Sequence, residues 1–380
     1  MEGYLLRFKE VLRKVTEEVK KLYQKQEEIK KRETNILKIK SDISLILKLL
    51  GQSHFNPHLF NKGEEIITPK KPSEIIKSLE KIIDIHHQYD LYSLLELSDY
   101  RIAAGDWNGT ISIFSIDYEK KKYTVNINHQ GHSDSISSLC QLSGNRLVSA
   151  GNDDLIKVWK INASSLSILQ TLEGHSFSVN QVIPLSNDII ASGSFDKTVK
   201  IWEVNYKNEL QTLEENFEVY SLLKLKNKEI LLSTGLGRQV SFWNLQTYKK
   251  EHTVNCCIAN SYKGLVDLSN NYVAVTGGDS LSIDIIDISN YKLFKQITYD
   301  SITEGGYYSS IHSLNKGTFI YSHNNYLCQL SSNNFDLKFK IKMVGEMRGT
   351  SIISNSSGKY IISINDNSGI SIFKIEYTLI

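Results

Sequence analysis

The sequence predicts an all-β domain built from repeated four-stranded units and preceded by one long α-helix. Residues 174–205 (GHSFSVNQVIPLSNDIIASGSFDKTVKIWEVN) contain three short β-branched runs. Ser-Asn-Asp and Phe-Asp-Lys separate these runs, and both are typical turn sequences between antiparallel strands. Poorer copies of this stretch recur after about residue 80, whereas residues 1–50 show helical spacing instead.

Composition limits the classes of partner and site. The 380 residues are 41% hydrophobic and 23% charged, and the formal net charge of +2 gives no reason to expect nucleic acid or a membrane surface. No apolar run reaches transmembrane length and the N-terminus is too charged for a signal peptide, so we expect a cytoplasmic protein. The four cysteines form no CxxC pair, so neither a zinc site nor a disulfide framework is predicted. The chain has no P-loop, dinucleotide fingerprint or HExxH motif, so no cofactor is predicted.

Residues 1–50 are predicted to form a coiled-coil helix. They hold 10 Lys and 3 Arg against 7 Glu and 1 Asp. Every d position of the heptad is apolar, but three consecutive a positions are Gln26, Glu33 and Lys40. A parallel in-register dimer would place like charges opposite each other at the last two. These charges therefore favour an antiparallel pair or an acidic partner helix.

A second interpretation of the helix stays open. Beyond Ile36 the apolar positions widen to include Leu37, Ile39 and Leu45, as in a helix that packs on a globular surface. Residues 51–79, with three of the chain's four prolines, are predicted to be a linker.

The period of the repeats gives the number of units. The stretch that begins at Gly174-His175 and ends near Trp202 resembles the WD40 repeat, which forms one blade of a β-propeller. Equivalent strand ends recur every 41–45 residues, at Phe114, Trp159, Trp202, Trp243, Ile286, about Cys328 and Phe373. Residues 80–380 are therefore predicted to form a seven-bladed WD40-type β-propeller.

The ends of the chain predict how the ring closes. The sequence stops just after the third strand of blade seven, so that blade lacks its outer strand. Residues 81–87 align with 169–175, the outer strand before the third blade, and we expect them to supply the missing strand.

The resemblance also implies a buried hydrogen-bond network in the best-preserved blades. In WD-repeat proteins a His, a Ser or Thr, an Asp and the Trp form a linked chain, and a buried Trp N–H needs such an acceptor. The matching residues are His132, Ser149, Asp153 and Trp159 in blade two, and His175, Ser192, Asp196 and Trp202 in blade three.

Two blades depart from this pattern. Blade one has Ala104 and Asn108 in place of the Ser and Asp, and blade four has Glu215 for the His and Gly237 for the Asp. We expect apolar packing alone to hold these two blades, and a Glu215→Ala change to matter little.

A hydrolase triad is built from the same three residue types, Ser, His and Asp. The sequence has no G-x-S-x-G elbow, and the trio occurs twice at the blade period, where a nucleophile would not be needed twice. The structural interpretation is therefore favoured over catalysis.

The candidate binding residues are large aromatic side chains. The resemblance places two positions of each blade on the narrow face around the central channel, where partner peptides dock in this family. In blades one to four these positions include Tyr89, Trp107, Phe177, Phe195 and Phe217. Aromatic side chains are frequent interface anchors.

These features together predict a non-catalytic scaffold or adaptor. It would oligomerise or dock through the helix and bind other proteins on the propeller, and is similar to coiled-coil/WD-repeat adaptors of autophagy, microtubule-motor regulation and ubiquitin ligases. The alternative is a G-protein beta-like subunit whose helix pairs with a small partner, and an enzyme is the least favoured class.

Overall fold

The computed structural model describes residues 74–226, 228–256, 264–268, 271–276, 282–298, 310–314, 318–323, 326–331, 335, 337–342, 352–355, 357–365 and 369–379. The predicted helix over residues 1–50 lies outside this set, and so does the predicted linker up to residue 73.

The described residues form 28 β-strands in seven antiparallel four-stranded sheets. Blade one contains β2 (Leu91–Glu96), β3 (Ile102–Asp106), β4 (Thr110–Asp117) and β5 (Lys122–Gln130); blade two contains β6 (Ile136–Leu142), β7 (Arg146–Gly151), β8 (Ile156–Ile161) and β9 (Leu166–Leu172). Blade three contains β10 (Val179–Pro184), β11 (Ile189–Ser194), β12 (Thr198–Glu203) and β13 (Asn208–Glu214), with a 3-10 turn at Val204–Tyr206.

The remaining blades repeat this order. Blade four contains β14 (Val219–Lys224), β15 (Ile230–Gly235), β16 (Gln239–Asn244) and β17 (Lys249–Asn255); blade five contains β18 (Leu265–Asp267), β19 (Tyr272–Thr276), β20 (Ser282–Asp287) and β21 (Lys292–Thr298). Blade six contains β22 (Ser310–Leu314), β23 (Thr318–His323), β24 (Tyr326–Ser331) and β25 (Leu337–Lys342). Blade seven contains β26 (Ile352–Ser354), β27 (Tyr360–Asn365), β28 (Gly369–Leu379) and, as its outer strand, β1 (Glu74–His86).

The first strands of the blades line the centre of a closed ring. Each of them contacts the first strand of the next blade, and β26 of blade seven contacts β2 of blade one. The chain therefore folds as a seven-bladed β-propeller, which confirms the blade count that the repeat period predicts.

The ring closes in blade seven, as the sequence at the two ends of the chain predicts. Strand β1 pairs antiparallel with β28, from Glu74 opposite Leu379 to His86 opposite Gly369. The strand begins at Glu74, so its first six residues fall within the range predicted to be linker. Ile76, Ile83 and Ile85 anchor it, with 1%, 6% and 1% of their surface exposed. The first and last strands of the propeller thus share one sheet, and β1 covers the outer edge of β28.

The hydrophobic core lies between neighbouring blades. Every residue of β3 is buried, and its sequence, IAAGD, is rich in small residues. Close packing requires them, because a Cβ at Gly105 would lie 2.5 Å from Cγ2 of Ile136 in blade two. Similar clusters join blades two and three and blades four and five. This packing holds the turns of adjacent blades side by side at the mouth of the central channel.

Candidate interaction site on the narrow face

In blade two the four predicted network residues contact one another. His132 Nδ1 lies 2.8 Å from Asp153 Oδ1, and His132 Nε2 lies 2.7 Å from Ser149 Oγ. Trp159 Nε1 donates to the same Ser149 Oγ over 2.8 Å. A neutral His132 with its proton on Nδ1 satisfies every group in the chain, because Ser149 can then donate to Nε2 while it accepts from the Trp.

Blade three repeats the network with nearly the same distances. His175 lies 2.7 Å from both Asp196 Oδ2 and Ser192 Oγ, and Trp202 Nε1 donates to Ser192 Oγ over 2.8 Å. Thr198 adds a hydrogen bond from its hydroxyl to Asp196 Oδ1 at 2.6 Å. The network ties the loop that enters the blade to the turn between its second and third strands.

The histidines also lower the pKa of the two aspartates. Burial alone would raise the pKa of Asp153 and of Asp196. The hydrogen bond from His132 or His175, together with the other donors around each carboxylate, outweighs burial and holds each pKa below its usual value. Both carboxylates are therefore charged at neutral pH and add to the negative charge of this face.

Loss of either histidine should destabilise the propeller. His175→Ala and His132→Ala each remove one hydrogen-bond partner from a buried serine and one from a partly buried carboxylate, so we expect each to lower the free energy of unfolding by about 1–3 kcal/mol. Denaturant melts of the two variants and the wild-type chain measure this. A loss below about 0.5 kcal/mol in both would contradict a structural role.

Blade four has a different network, and the expectation that apolar packing alone holds it is wrong. Glu215 is buried, and it accepts hydrogen bonds from Ser233 Oγ at 2.5 Å and from Ser241 Oγ and Trp243 Nε1 at 3.0 Å. Lys250 Nζ lies 2.7 Å from Glu215 Oε2 and 4.7 Å from the centre of the Trp243 ring. One carboxylate thus takes the acceptor role that a His–Asp pair has in blades two and three.

Blade one also keeps polar contacts, and the same expectation is wrong there. His87 Nε2 lies 3.1 Å from the hydroxyl of Ser112, the residue directly opposite Ala104 on the neighbouring strand. His87 Nδ1 lies 3.1 Å from the backbone carbonyl oxygen of Tyr89, whereas Asp106 Oδ2 is 3.8 Å away, beyond hydrogen-bond distance. A cross-strand neighbour therefore supplies the hydroxyl, and a backbone carbonyl takes the place that the aspartate has in blades two and three.

Four of the five predicted binding aromatics reach the surface of the narrow face, which we define by the loops entering the blades and the turns between their second and third strands. Trp107 is 56% exposed, Phe177 62% and Tyr89 37%, while Phe195 is half-buried. Three large exposed rings therefore lie on this face.

The fifth aromatic, Phe217, is buried, so its predicted exposure is wrong. It is only 4% exposed. Its ring lies against the turn that contains Gly235 and Gly237, where a Cβ added at position 237 would clash with it. Blade four has no aspartate in this turn, and the phenyl ring occupies the space.

A cavity of about 250 Å³ opens where the first strands of blades one to four meet this face. Two aromatic pairs border it: Tyr92 with Trp107, whose ring centres are 5.8 Å apart, and Phe195 with Tyr220, at 4.9 Å. Polar side chains lie between the pairs, and the complete lining is Tyr92, Trp107, Ser135, Ser137, Asn152, Asn180, Phe195 and Tyr220.

Sequence reasoning missed most of this cavity. Tyr92 and Tyr220 lie near the start of the first strands of blades one and four, where an aromatic residue is normally interpreted as part of the hydrophobic core. Their period along the chain is a usable signal, since Tyr92, Ser137, Asn180 and Tyr220 recur once per blade on the strand nearest the channel.

Two other kinds of site are absent from the described residues. No helix among them is long and apolar enough to cross a membrane. No group of three or more His, Cys, Asp or Glu side chains within the same ranges could hold a metal ion.

Comparison with known proteins agrees with the fold. The family model described as "WD domain, G-beta repeat" matches residues 123–160 and 166–203. Each match runs from the outer strand of one blade through the first three strands of the next. No curated protein matches the chain.

Among solved structures, the chain is similar to the WD40 β-propeller domain of Doa1. The TM-score is 0.63 with 20% sequence identity, over 80% of this chain and 98% of that one. Identity at this level supports the fold alone. The chain thus contains WD40 repeats within a seven-bladed β-propeller.

Proposed function

We propose that this chain is a non-catalytic interaction module that binds a segment of another protein on the narrow face over blades one to four. Propellers with WD40 repeats are typically protein-interaction scaffolds. The observation that carries the proposal is the group of exposed rings Trp107, Phe177 and Tyr89 beside a preformed cavity. Exposed aromatic rings release ordered water when a partner covers them, and they lose little conformational entropy.

The buried state of the serines argues against catalysis by the Ser-His-Asp sets. The hydrogen-bond order does match that of a triad, with the histidine between the acid and the serine. However, Ser149 and Ser192 are fully buried, and each hydroxyl oxygen already accepts the N–H of a tryptophan. A substrate carbonyl has no path to either hydroxyl in this arrangement.

We further propose that the helix predicted for residues 1–50 is a second docking element, although it lies outside the described residues. The heptad seam supports this, and the charges Glu33 and Lys40 at a positions favour an antiparallel pair or an acidic partner over a parallel homodimer. Sedimentation of the 1–50 peptide should show weak self-association, strengthened by Glu33→Leu with Lys40→Leu. Strong parallel dimers of the unmodified peptide would contradict this.

The test of the propeller's role is a double change, Trp107→Ala with Phe177→Ala. Both rings are more than half exposed, so we expect the melting temperature to change little. Removal of a central interface aromatic typically costs about 2 kcal/mol or more of binding energy, so partner binding should be lost. The measurement is quantitative pull-down of proteins from the native source, paired with a thermal melt of each variant.

The matched control is Tyr206→Ala, which removes a ring that is 77% exposed at the opposite end of blade three. This variant should bind as the wild type does. If the control and the double variant lose the same partners equally, or if neither loses any, the narrow face is not the binding surface.

A further inference from the structure

The cavity on the narrow face combines aromatic and polar lining residues. None of its eight lining residues is charged, yet four of them are polar, and these lie between the Tyr92–Trp107 and Phe195–Tyr220 pairs. Its volume of about 250 Å³ is suited to one long side chain and is too small for a folded element.

The polar lining is able to accept hydrogen bonds. Asn180 is only 8% exposed, and its Nδ2 donates to the carbonyl of Val219 over 2.7 Å, which leaves its Oδ1 as the remaining polar atom of the amide. Among the described residues, no hydrogen bond engages the side-chain amide of Asn152. An apolar ligand would cover both amides without satisfying them, which is unfavourable.

The loops around the cavity are strongly acidic. Residues 87–90, 106–109, 131–135, 152–154, 173–178, 195–197, 215–218 and 236–238 together contain nine Asp or Glu against one Lys and one Arg. One of the nine, Glu215, is buried and paired with Lys250, which leaves eight acidic residues. The single lysine in these loops is partly neutralised, because Lys197 Nζ lies 3.9 Å from Glu218 Oε1. This concentration contrasts with the net charge of +2 for the whole chain.

The raised pKa of Asp154, which lies in one of these loops, is consistent with their negative charge. Burial raises the pKa of Asp154, and the nearby carboxylates of Asp153, Asp196 and Asp134 raise it further, against an opposing effect of His175. Asp134 precedes the cavity residue Ser135, and Asp154 follows the cavity residue Asn152 by two positions. A negative ligand would therefore be repelled at the entrance and a positive one attracted.

We propose that the cavity takes a cationic side chain, with arginine the better fit, from a basic segment of the partner protein. This inference rests on the proposed function and names the chemistry of its partner. Aromatic faces attract a cation within about 6 Å of the ring centre, and a guanidinium also stacks flat on them. Its N–H groups would donate to the amide and hydroxyl oxygens between the pairs, while the acidic rim holds the flanking basic residues.

The experiment selects binders from a random library of displayed peptides, each about a dozen residues long, using the purified full chain. We expect the selected peptides to share one arginine or lysine position and a basic flank. Substituting that position by alanine, or changing the protein by Trp107→Ala, should weaken binding at least about tenfold. Binding should also weaken as ionic strength rises, because the exposed rim charges are screened.

Charge variants test whether the acidic loops around the cavity, rather than the charge of the whole surface, attract the peptides. Asp134→Asn with Asp154→Asn should weaken the selected peptides several-fold, whereas Glu119→Gln, an exposed acid in the turn between β4 and β5, should not. Peptides that require Trp107 but share an apolar or acidic position would overturn the cationic inference and leave the interaction surface intact. Absence of any peptide that depends on Trp107 would overturn both the inference and the proposed function on this face.

Discussion

A chain that begins at residue 88 should fail to fold under conditions in which a chain that begins at residue 72 melts cooperatively. The shorter chain lacks β1 and leaves the 11-residue strand β28 unpaired along its outer edge. It also loses the buried side chains Ile76, Ile83 and Ile85. Each contributes about 1.5–3 kcal/mol through burial, so the combined loss of about 5–9 kcal/mol approaches the whole stability of a typical domain.

Circular dichroism and thermal melts of the two chains measure this effect. A point variant that keeps the strand, Ile85→Ala, should lie between them, with a loss of about 2–5 kcal/mol. Equal melting temperatures for the chains beginning at 72 and 88 would show that blade seven does not depend on β1.

Glu215→Ala should be among the most destabilising single changes on the narrow face. It removes the shared acceptor of two serines and a tryptophan, and it leaves Lys250 without its ion-pair partner. Because the site is buried, we expect a loss of about 3 kcal/mol or more in the free energy of unfolding. Trp243 retains its hydrogen bond to Ser233 Oγ at 2.9 Å, which limits the damage.

Two further variants, compared with Glu215→Ala by urea denaturation, serve as controls. Glu214→Ala removes the adjacent, exposed carboxylate and should change stability by less than about 0.5 kcal/mol. Glu215→Gln keeps an acceptor oxygen but loses the charge, and we expect roughly half the effect of alanine. If Glu215→Ala unfolds no more easily than Glu214→Ala, the hydrogen bonds of blade four are not stabilising.

The sequence predicted the ring because its evidence is periodic. Strand-end residues such as Trp159, Trp202 and Phe373 recur at the blade spacing, and each one is buried in the third strand of its blade. The closing strand was predictable for a related reason, since 81–87 align with a complete repeat elsewhere in the chain. The start of this strand at Glu74 could not be predicted, because residues 74–79 have no counterpart in the outer strands of the other blades.

The hydrogen-bond networks could be predicted only in the blades whose residues match the WD40 repeat position by position. In blade one the hydroxyl moves from position 104 to Ser112, which lies directly across the sheet but eight positions further along the sequence. In blade four a single glutamate replaces two residues. Pairing across strands, rather than position along the chain, decides which groups meet. A position-by-position comparison therefore interprets both blades as apolar.

Exposure of the rim aromatics was harder to predict than their location. Phe177 and Phe217 occupy equivalent sequence positions, yet one ring is 62% exposed and the other 4%. The difference arises in another loop, where Asp196 in blade three is replaced by Gly237 in blade four. The space available to a side chain depends on such neighbours.

The pairing of β1 with β28 has a consequence for biosynthesis. The first strand of the propeller to leave the ribosome is Glu74–His86, and its partner, Gly369–Leu379, is the last. Until that partner has been made, the nascent chain carries an unpaired strand that can associate with other chains. Closure then joins segments almost 300 residues apart, so we expect the final folding step to be slow and to depend on protection of the growing chain by chaperones.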